Sequence, residues 1–471
     1  MMGFLFSLML IQGAKQPVVR SAPEAVHGVE LTVYHQNFAL VKEKRKIELR
    51  KGLNLVAVEG VAAHIDPTSV HFKSLTAPEQ VAVREQNYFY DLLSPNSVLT
   101  KSLGRTITVR RLLETGQLHE VRGTLLSTPE NGIILRTQEG KLVLNPAGEV
   151  QVEEVPPDLV SRPTLFWKLE SDRAGTHECE ITYLTQNVNW HVEYVAVINK
   201  EDTKTDLTGW VTLENRSGTA YKEARLKLVA GDVRRVQPPP LYDKAELARA
   251  APGAPQFAEK EFFEYHLYTL QGTTTLRHYE IKQMTLLEAT NVGVRKRLIY
   301  EATRGVWRYY SHRPGEAFAS APPSKLNIVL EVANTEANRM GIPLPKGKIR
   351  FYKADEEGQL QFIGEDEIDH TPRNEKLRLY LGDAFDVVGE RKQIEYKRIA
   401  TNMWEESLEI RVRNRKKEAV EVTIVEHPYG DWQILSASHE WTKVDAQTIE
   451  FTHTLKPDEE WVVTYRVRYR Y

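Results

Sequence analysis

The residues best placed to do chemistry lie in GEDEIDHT, residues 364–371, where four carboxylates and one histidine fall within eight positions. Clustered oxygen ligands suit calcium, so Glu365, Asp366 and His370 are the candidate cation- or ligand-binding residues. The spacing differs from that of an EF-hand loop, and no second ligand cluster can be assigned. We therefore favour a solvated loop in which His370 stitches the following turn. We predict no cofactor, with calcium as the alternative.

A second candidate is the pair His177 and Cys179, which would share one face of a strand. A thiol beside an imidazole is the arrangement of a cysteine nucleophile. Catalytic pairs usually come from separate segments, however, and a lone cysteine is most often a small buried hydrophobic residue. Cys179 is also the single cysteine of the chain, which excludes an intramolecular disulfide.

Carboxylates and tryptophans point to a third chemistry, the recognition or cleavage of glycans. Asp383 and Asp386 in LGDAFD could pair with other carboxylates for acid–base work, although capping a turn is the more common role. Four tryptophans are candidates for either sugar-stacking platforms or sandwich core: Trp190, Trp210, Trp432 and Trp441. The sequence holds no nucleophile elbow, zinc-protease motif, phosphate loop or C-x-x-C pair. We therefore lean away from an enzyme, without excluding one.

The strands that must position these residues are clearest from Ile181 to Val236, where the pattern predicts four strands in succession. Apolar residues alternate with polar ones there, and Asn215 to Gly218 form a turn. The same alternation recurs along most of the chain, without long amphipathic helices or heptads. The fold class predicted is all-β: multi-domain antiparallel Ig-like β-sandwiches with a small SH3- or Sm-like barrel module near the N-terminus.

Strand spacing and linker composition predict five segments. They are a candidate signal peptide and linker (1–27), an N-terminal antiparallel domain (28–98), the small barrel (99–158), a central sandwich (159–390) and a C-terminal Ig-like sandwich (391–471). Residues 237–261 and 311–324 are predicted to be mobile surface loops, because their prolines cannot donate ladder hydrogen bonds. The last strand, WVVTYRVRYRY, has one apolar face and one arginine face, which suits a sheet edge.

Bulk properties limit the partners and the location. A formal net charge of −2 over 471 residues, with no basic domain, argues against nucleic acid. The apolar run GFLFSLMLI, residues 3–11, is too short to span a bilayer and has the length of a signal-peptide core, although no basic residue precedes it. We interpret it as a signal peptide, with a buried first strand or a disordered lead as the alternative, and we expect a periplasmic or secreted protein with no membrane-spanning segment.

One internal echo links two parts of the chain. LENR, residues 213–216, and VRNR, residues 412–415, each end a strand, and a new alternating strand follows. Two related sandwich domains would explain the echo. Two hairpins that happen to use asparagine are the interpretation we favour.

Several segments carry a family likeness: WHVEYVAVI, GWVTLENRSGTAYKEARLKLVAGDV, YHLYTL, PLPKGKIRFYKADEEGQLQFIGEDEIDHTP and LGDAFDV. Together they resemble the bacterial domain-of-unknown-function family numbered 4139, over roughly residues 165–471. Related mucoidy-inhibitor-like proteins place a coiled coil where this chain has a short β module. The resemblance implies a bacterial envelope or secreted β protein; it implies no activity and supplies no catalytic residues.

The leading hypothesis is a non-enzymatic extracytoplasmic protein, either a binding protein or a structural component of the envelope. Its partner would be a protein or a surface polymer. The alternative is a glycan hydrolase with a carboxylate pair in a β-sandwich cleft. A calcium-stabilised adhesion module is the third hypothesis.

Overall fold

The computed structural model describes residues 17–113, 116–127, 130, 132–156, 159–231, 233, 257–262, 265–303 and 320–470. These residues form two compact units. Unit 1 takes in the described residues of Met1–Trp190, Leu213–Arg235 and Lys260–Lys282, and unit 2 those of His191–Thr212, Val236–Glu259 and Gln283–Tyr471. Strands dominate both units, which confirms the all-β prediction. The five-segment division and the Ig-like detail remain predictions.

Unit 1 opens with six strands. They are β1 (Val19–Ser21), β2 (Val26–Tyr34), β3 (Phe38–Leu49), β4 (Gly52–Glu59), β5 (His71–Ser74) and β6 (Val81–Phe89). Two 3-10 helices, Pro23–Ala25 and Pro67–Ser69, connect them. In β3 the alternation buries Val41, Ile47 and Leu49. Glu43 and Arg45 share that parity and are buried as well.

A small module follows, with one helix and five strands among its described residues. Its elements are α1 (Pro95–Lys101), β7 (Thr106–Leu112), β8 (Leu118–Leu125), β9 (Ile134–Thr137), β10 (Leu142–Leu144) and β11 (Glu149–Val152). The strand order is β10-β9-β8-β7-β11, so the fifth strand returns beside the first, as a small barrel requires. No ladder joins β10 to β11 among the described residues, so closure of the barrel remains a prediction.

The central stretch supplies the four strands predicted from Ile181 to Val236, and others flank it. These elements are β12 (Thr164–Ser171), β13 (Gly175–Gln186), β14 (Val188–Ile198), β15 (Lys204–Asn215), β16 (Tyr221–Ala230), β17 (Phe257–Phe262), β18 (Tyr265–Leu270) and β19 (Thr274–Leu276). Unit 1 thereby gains a four-stranded sheet, β1-β4-β12-β6, and an eight-stranded sheet, β17-β18-β16-β2-β3-β13-β5 with β19 on β16.

Unit 2 is built on one large sheet. Its further strands are β20 (Glu280–Tyr300), β21 (Ala321–Ala333), β22 (Gly347–Ala354), β23 (Leu360–Ile368), β24 (Lys376–Ala400), β25 (Met403–Asn414), β26 (Val420–Glu426), β27 (Asp431–Ala437), β28 (Thr442–Asp445), β29 (Thr448–Leu455) and β30 (Glu460–Arg470). A 3-10 helix spans Glu336–Asn338. The main path is β23-β22-β14-β15-β20-β21-β24-β25-β30-β27, with β26, β28 and β29 branching from it. The hydrophobic core of this unit is formed by buried side chains of several strands, including Trp404 of β25, Ile424 of β26 and Tyr465 of β30.

The sheets are mixed, where purely antiparallel sandwiches were predicted. Parallel ladders join β1 to β4, β2 to β16, β14 to β22 and β20 to β26. Local alternation fixes which face of a strand is buried but not which strand lies beside it. A parallel neighbour needs a long connection, and these partners are separated by other strands in the sequence.

Three local predictions need correction. Residues 257–261 belong to β17 and residues 321–324 to β21, although both were predicted to be loop; residues 237–256 and 311–319 lie outside the described residues. The β21–β24 ladder shifts register between Ala321 and Ser324, and the two prolines lie at that irregularity, where no ladder hydrogen bond is required of them. The last strand, β30, is flanked by β25 and β27, so it is not a sheet edge.

A buried asparagine closes the end of β15 in unit 1. Asn215 is fully buried, and its Nδ2 donates to the carbonyl oxygens of Thr219 at 2.9 Å and Arg277 at 3.0 Å. Its Oδ1 accepts the N–H of Ser217 at 3.0 Å. The side chain therefore ties the strand end to its own turn and to a distant turn.

Asn414 closes β25 in unit 2 through the same set of bonds. Its Nδ2 donates to the carbonyl oxygens of Glu418 at 2.9 Å and Lys456 at 3.0 Å, and its Oδ1 accepts the N–H of Lys416 at 3.0 Å. The residue is also fully buried. The LENR and VRNR echo therefore marks two equivalent strand ends, which supports the explanation of two related domains.

Candidate functional site

The predicted ligand residues are largely engaged in holding β23 and its neighbours. Glu365 lies in β23, where its carboxylate is 3.3 Å from both Lys348 and Arg350. Asp366 accepts the N–H of Tyr380 at 2.7 Å. Residues 364–368 thus belong to β23, where a solvated loop was predicted, because their backbone pairs with residues 347–351 of β22.

His370 does stitch the chain after β23, since its Nδ1 accepts the N–H of Lys346 at 3.1 Å. Among the described residues, no group of three or more histidine, cysteine or acidic side chains could hold a metal ion. The calcium hypothesis stays a prediction.

The thiol and the imidazole of the second candidate pair are built into the core of unit 1. Burial raises the pKa of Cys179 to about 12, so the thiol stays protonated near neutral pH. The ring of His177 lies 3.0 Å from Ser74 Oγ through Nδ1 and 3.2 Å from the carbonyl oxygen of Arg173 through Nε2. The Cys179 thiol contacts only the backbone oxygen of His177 among the described hydrogen bonds. This arrangement favours packing over nucleophilic attack.

Asp383 and Asp386 lie inside β24, and the predicted turn is wrong. Asp383 accepts hydrogen bonds from Asn327 Nδ2 and Tyr380 Oη, both at 2.8 Å. Asn327 pairs with Asp383, but the next pair of the ladder along β24 involves Val388. The register of β21 and β24 therefore shifts here. LGDAFD is therefore a β-bulge, a feature that alternation alone does not reveal.

The four tryptophans divide between core and surface. Trp190 is fully buried and packs 4.2 Å from the ring of His35, and Trp210 is half-buried. Trp432 and Trp441 meet edge to face with ring centroids 6.2 Å apart, and Trp441 is 36% exposed. Two of the four candidates thus form an aromatic pair in which Trp441 is exposed and Trp432 is half-buried.

We name this pair, with Lys443 and Val444, the tryptophan surface. Trp432 lies in β27 and Trp441 directly precedes β28, so the ring contact joins two strands that do not pair with each other. Lys443 Nζ lies 4.7 Å from the ring centroid of Trp432, and Val444 is 47% exposed. An indole ring beside a cation presents both apolar and charged groups to a ligand.

The hairpin between β28 and β29 fixes the tryptophan surface in place. Trp432 Nε1 donates to the carbonyl oxygen of Ala446 at 2.8 Å. On the other side, His427 Nδ1 lies 3.3 Å from the carbonyl oxygen of Gln447, and its Nε2 lies 2.9 Å from Glu301. Because hydrogen bonds hold the β28–β29 turn at both Ala446 and Gln447, the Trp432 indole is preorganised for a ligand.

A buried polar cluster near the same core was missed by sequence reasoning. Arg391 Nε lies 3.0 Å from both carboxylate oxygens of Glu426, and Tyr465 Oη donates to the same carboxylate. Burial, with the charge of Glu426, raises the pKa of Glu406 to about 7 against the opposing effect of Arg391. Glu406 shares the parity of Trp404 and the apolar residues of β25, which is the signal that places it inside.

Comparison with known families covers this part of the chain. A family model described as "Domain of unknown function (DUF4139)" matches residues 179–471. No curated protein matches the sequence. The matched range includes the tryptophan surface and the buried polar cluster, and it leaves out the small module.

Proposed function

The chain belongs to the DUF4139 family, and from its own surfaces we propose that it is a non-enzymatic protein that binds a carbohydrate polymer outside the cytoplasm. The observation that carries the proposal is the tryptophan surface. The exposed indole of Trp441 packs against the half-buried indole of Trp432, which is hydrogen-bonded to Ala446 and flanked by Lys443. Such a surface suits a ligand with apolar and polar faces.

A pyranose ring has that character, because its axial C–H groups make an apolar face and its hydroxyl groups make a polar rim. Trp441 would stack on the apolar face. Exposed polar side chains next to it, Lys443 and Asp445, would meet the hydroxyl rim. Repeating sugars would let a polymer run along the two edge strands, which is the geometry expected for a surface polymer.

Affinity electrophoresis through gels that contain cellulose, xylan, alginate or peptidoglycan fragments tests the proposal. We expect retardation in at least one gel, and we expect Trp441→Ala to weaken that binding at least tenfold. Phe385→Ala is the matched control, because Phe385 is a 78% exposed aromatic residue on another strand. If Trp441→Ala binds as tightly as the unchanged protein, the tryptophan surface is not the site.

Glycan hydrolysis is the second candidate, and the buried cluster is the observation in its favour. Glu406, whose pKa is raised to about 7, and Glu426, which pairs with Arg391, are two carboxyl groups in different environments, as an acid and a base require. Both side chains are at most 3% exposed, which works against access by a sugar. Release of reducing ends by the unchanged protein, lost in Glu406→Gln, would replace the binding proposal with hydrolysis.

The extracytoplasmic location is part of the proposal and draws on the apolar run at residues 3–11, which lies outside the described residues. No helix in the described part of the chain has the length and apolar character to traverse a bilayer. N-terminal sequencing of the protein recovered from a periplasmic extract tests the location. An intact N-terminus on protein found only in the cytosolic fraction would contradict it.

A further inference from the structure

A groove runs between the helix and the last strand of the small module. Its volume is about 440 Å³, within the range of ligand-binding clefts. Apolar side chains dominate its walls: Leu93, Pro95, Val98 and Leu99 on the helix side, and Val150 and Val152 on β11. Leu99, Val150 and Val152 also pack against the buried core of the module, so the open groove that they line is a rigid apolar surface and a candidate binding site.

The strand wall of the groove is also a sheet edge. β11 pairs with β7 on one side, Val150 opposite Val109 and Val152 opposite Ile107. Among the described residues no ladder occupies its other side. The backbone of β11 therefore offers hydrogen-bonding groups to an additional strand.

The apolar groove and the unpaired edge of β11 lie on the same strand, so one added strand could use both. Val150 and Val152 are two residues apart, so both point to one face of β11, and that face lines the groove. A strand added beside β11 would place its own alternate side chains next to these valines and against Val98 and Leu99 on the helix wall of the groove. Apolar surface continues beyond the groove at Leu92, which is 41% exposed.

Negative charge at the two ends of β11 would favour the addition of a basic strand. Glu149, Glu153 and Glu154 are exposed at its two ends, and only Glu153 has a described ion-pair partner, Arg122 at 2.6 Å. A strand with basic residues on the face opposite its apolar residues would complement these carboxylates.

We propose that the small module binds an extended segment of a partner protein, which adds to β11 as a strand, inserts aliphatic side chains into the groove and carries lysine or arginine between them. This site lies in unit 1 and is independent of the tryptophan surface in unit 2. Main-chain bonds would supply affinity, and the groove would supply specificity.

Fluorescence polarisation with the full chain and a labelled peptide, Lys-Val-Lys-Leu-Lys-Val-Lys, tests the proposal. We expect saturable binding at one peptide per chain. N-methylation of alternate peptide nitrogens on the edge that faces β11 should weaken binding at least tenfold, because it removes ladder hydrogen bonds. Replacing the lysines by glutamates should weaken it at least as much.

Protein variants localise the binding. Val98→Trp should fill the groove and weaken binding at least tenfold, while Val83→Trp, at a 41% exposed valine on β6, should leave it unchanged. Circular dichroism checks that both variants fold, and the N-methylated peptide tests the proposal without any change in the protein. Equal binding of methylated and unmethylated peptides would overturn strand addition. Equal binding by Val98→Trp would overturn the groove as the site.

Other occupants give distinct results. If a fatty acid binds and Val98→Trp abolishes that binding while the peptide does not bind, the groove is a lipid site and the proposal fails. If the chain self-associates on size-exclusion chromatography and Val98→Trp makes it monomeric, the occupant is a second copy and the proposal fails.

Discussion

Each unit buries an arginine, a glutamate and a tyrosine in one hydrogen-bonded network. The network of unit 2 also includes a second carboxyl group. In unit 1, Arg45 donates to Glu43, and Tyr183 donates to the other carboxylate oxygen at 2.7 Å. Arg45 also donates to backbone carbonyl oxygens, including that of Glu59 at 3.0 Å. The arginine of unit 1 thus has one carboxylate partner and several fixed backbone partners.

The network of unit 2 contains a second carboxylate. Arg391 pairs with Glu426, and Tyr465 donates to it, but the field of Arg391 also reaches Glu406. With a pKa of about 7, Glu406 is only partly ionised at neutral pH, so it is a reserve carboxylate rather than a full second counter-ion. Two similar buried ion pairs can therefore differ in how they respond to substitution and to pH.

The largest effect is expected from removing the carboxylate of unit 1. Glu43→Ala leaves the buried Arg45 uncompensated and should cost about 3–5 kcal/mol of unfolding free energy. Glu426→Ala should cost less, because Glu406 can ionise beside Arg391 in its place. Hydrogen exchange of β3 and β25, followed by mass spectrometry, reports each unit separately. Equal losses in the two units would show that Glu406 is no reserve.

A pH-dependent effect should follow from Glu406 and be confined to unit 2. Its pKa is about 7 in the folded chain, against 4.5 for an ordinary glutamate, so the folded state binds the proton more tightly. Its contribution to stability is complete below about pH 4.5, is lost as the pH rises toward 7, and is then constant. Glu406→Gln should therefore stabilise unit 2 by about 3 kcal/mol at pH 8 and change little at pH 4. Urea titrations at the two pH values measure this, and a pH-independent effect would contradict it.

A smaller and matched effect is expected at the two buried asparagines. Asn215→Ala and Asn414→Ala each leave buried carbonyl oxygens without a donor, at a cost of about 2 kcal/mol. Because the two side chains make equivalent bonds, the losses should agree within about 0.5 kcal/mol. Thermal melts of the two variants test the equivalence. A loss of stability at only one position would mean that the equivalent hydrogen bonds of the two asparagines contribute unequally to the unfolding free energy.

The smallest effect on stability is expected at the tryptophan surface. Trp441 is 36% exposed, so Trp441→Ala should change the unfolding free energy by less than about 1 kcal/mol while it removes polymer binding. Urea unfolding beside the affinity gels separates the two readouts. A large loss of stability would show that the residue serves the core of unit 2.

Strand positions were predictable because alternation is local, and the buried charges were predictable in part. Val41, Glu43, Arg45 and Ile47 share one parity, as do Trp404, Glu406 and Leu408, so the period itself places the charged residues inside. The pairing of Glu426 with Arg391 was not predictable, because it depends on which strands become neighbours. The same limit explains the bulge at Asp383 and the meeting of Trp432 with Trp441.

The parallel ladder between β2 and β16 places Glu30 opposite Arg225, roughly 195 residues later in the chain. During synthesis, β2 and β3 leave the ribosome long before their neighbour exists, and at typical elongation rates the interval is of order ten seconds or more. The hairpin of β2 and β3 then presents an unpaired edge to anything nearby. Closing so long a loop also slows refolding. The N-terminal strands of this protein should therefore be the part that most needs a holding chaperone until β16 arrives.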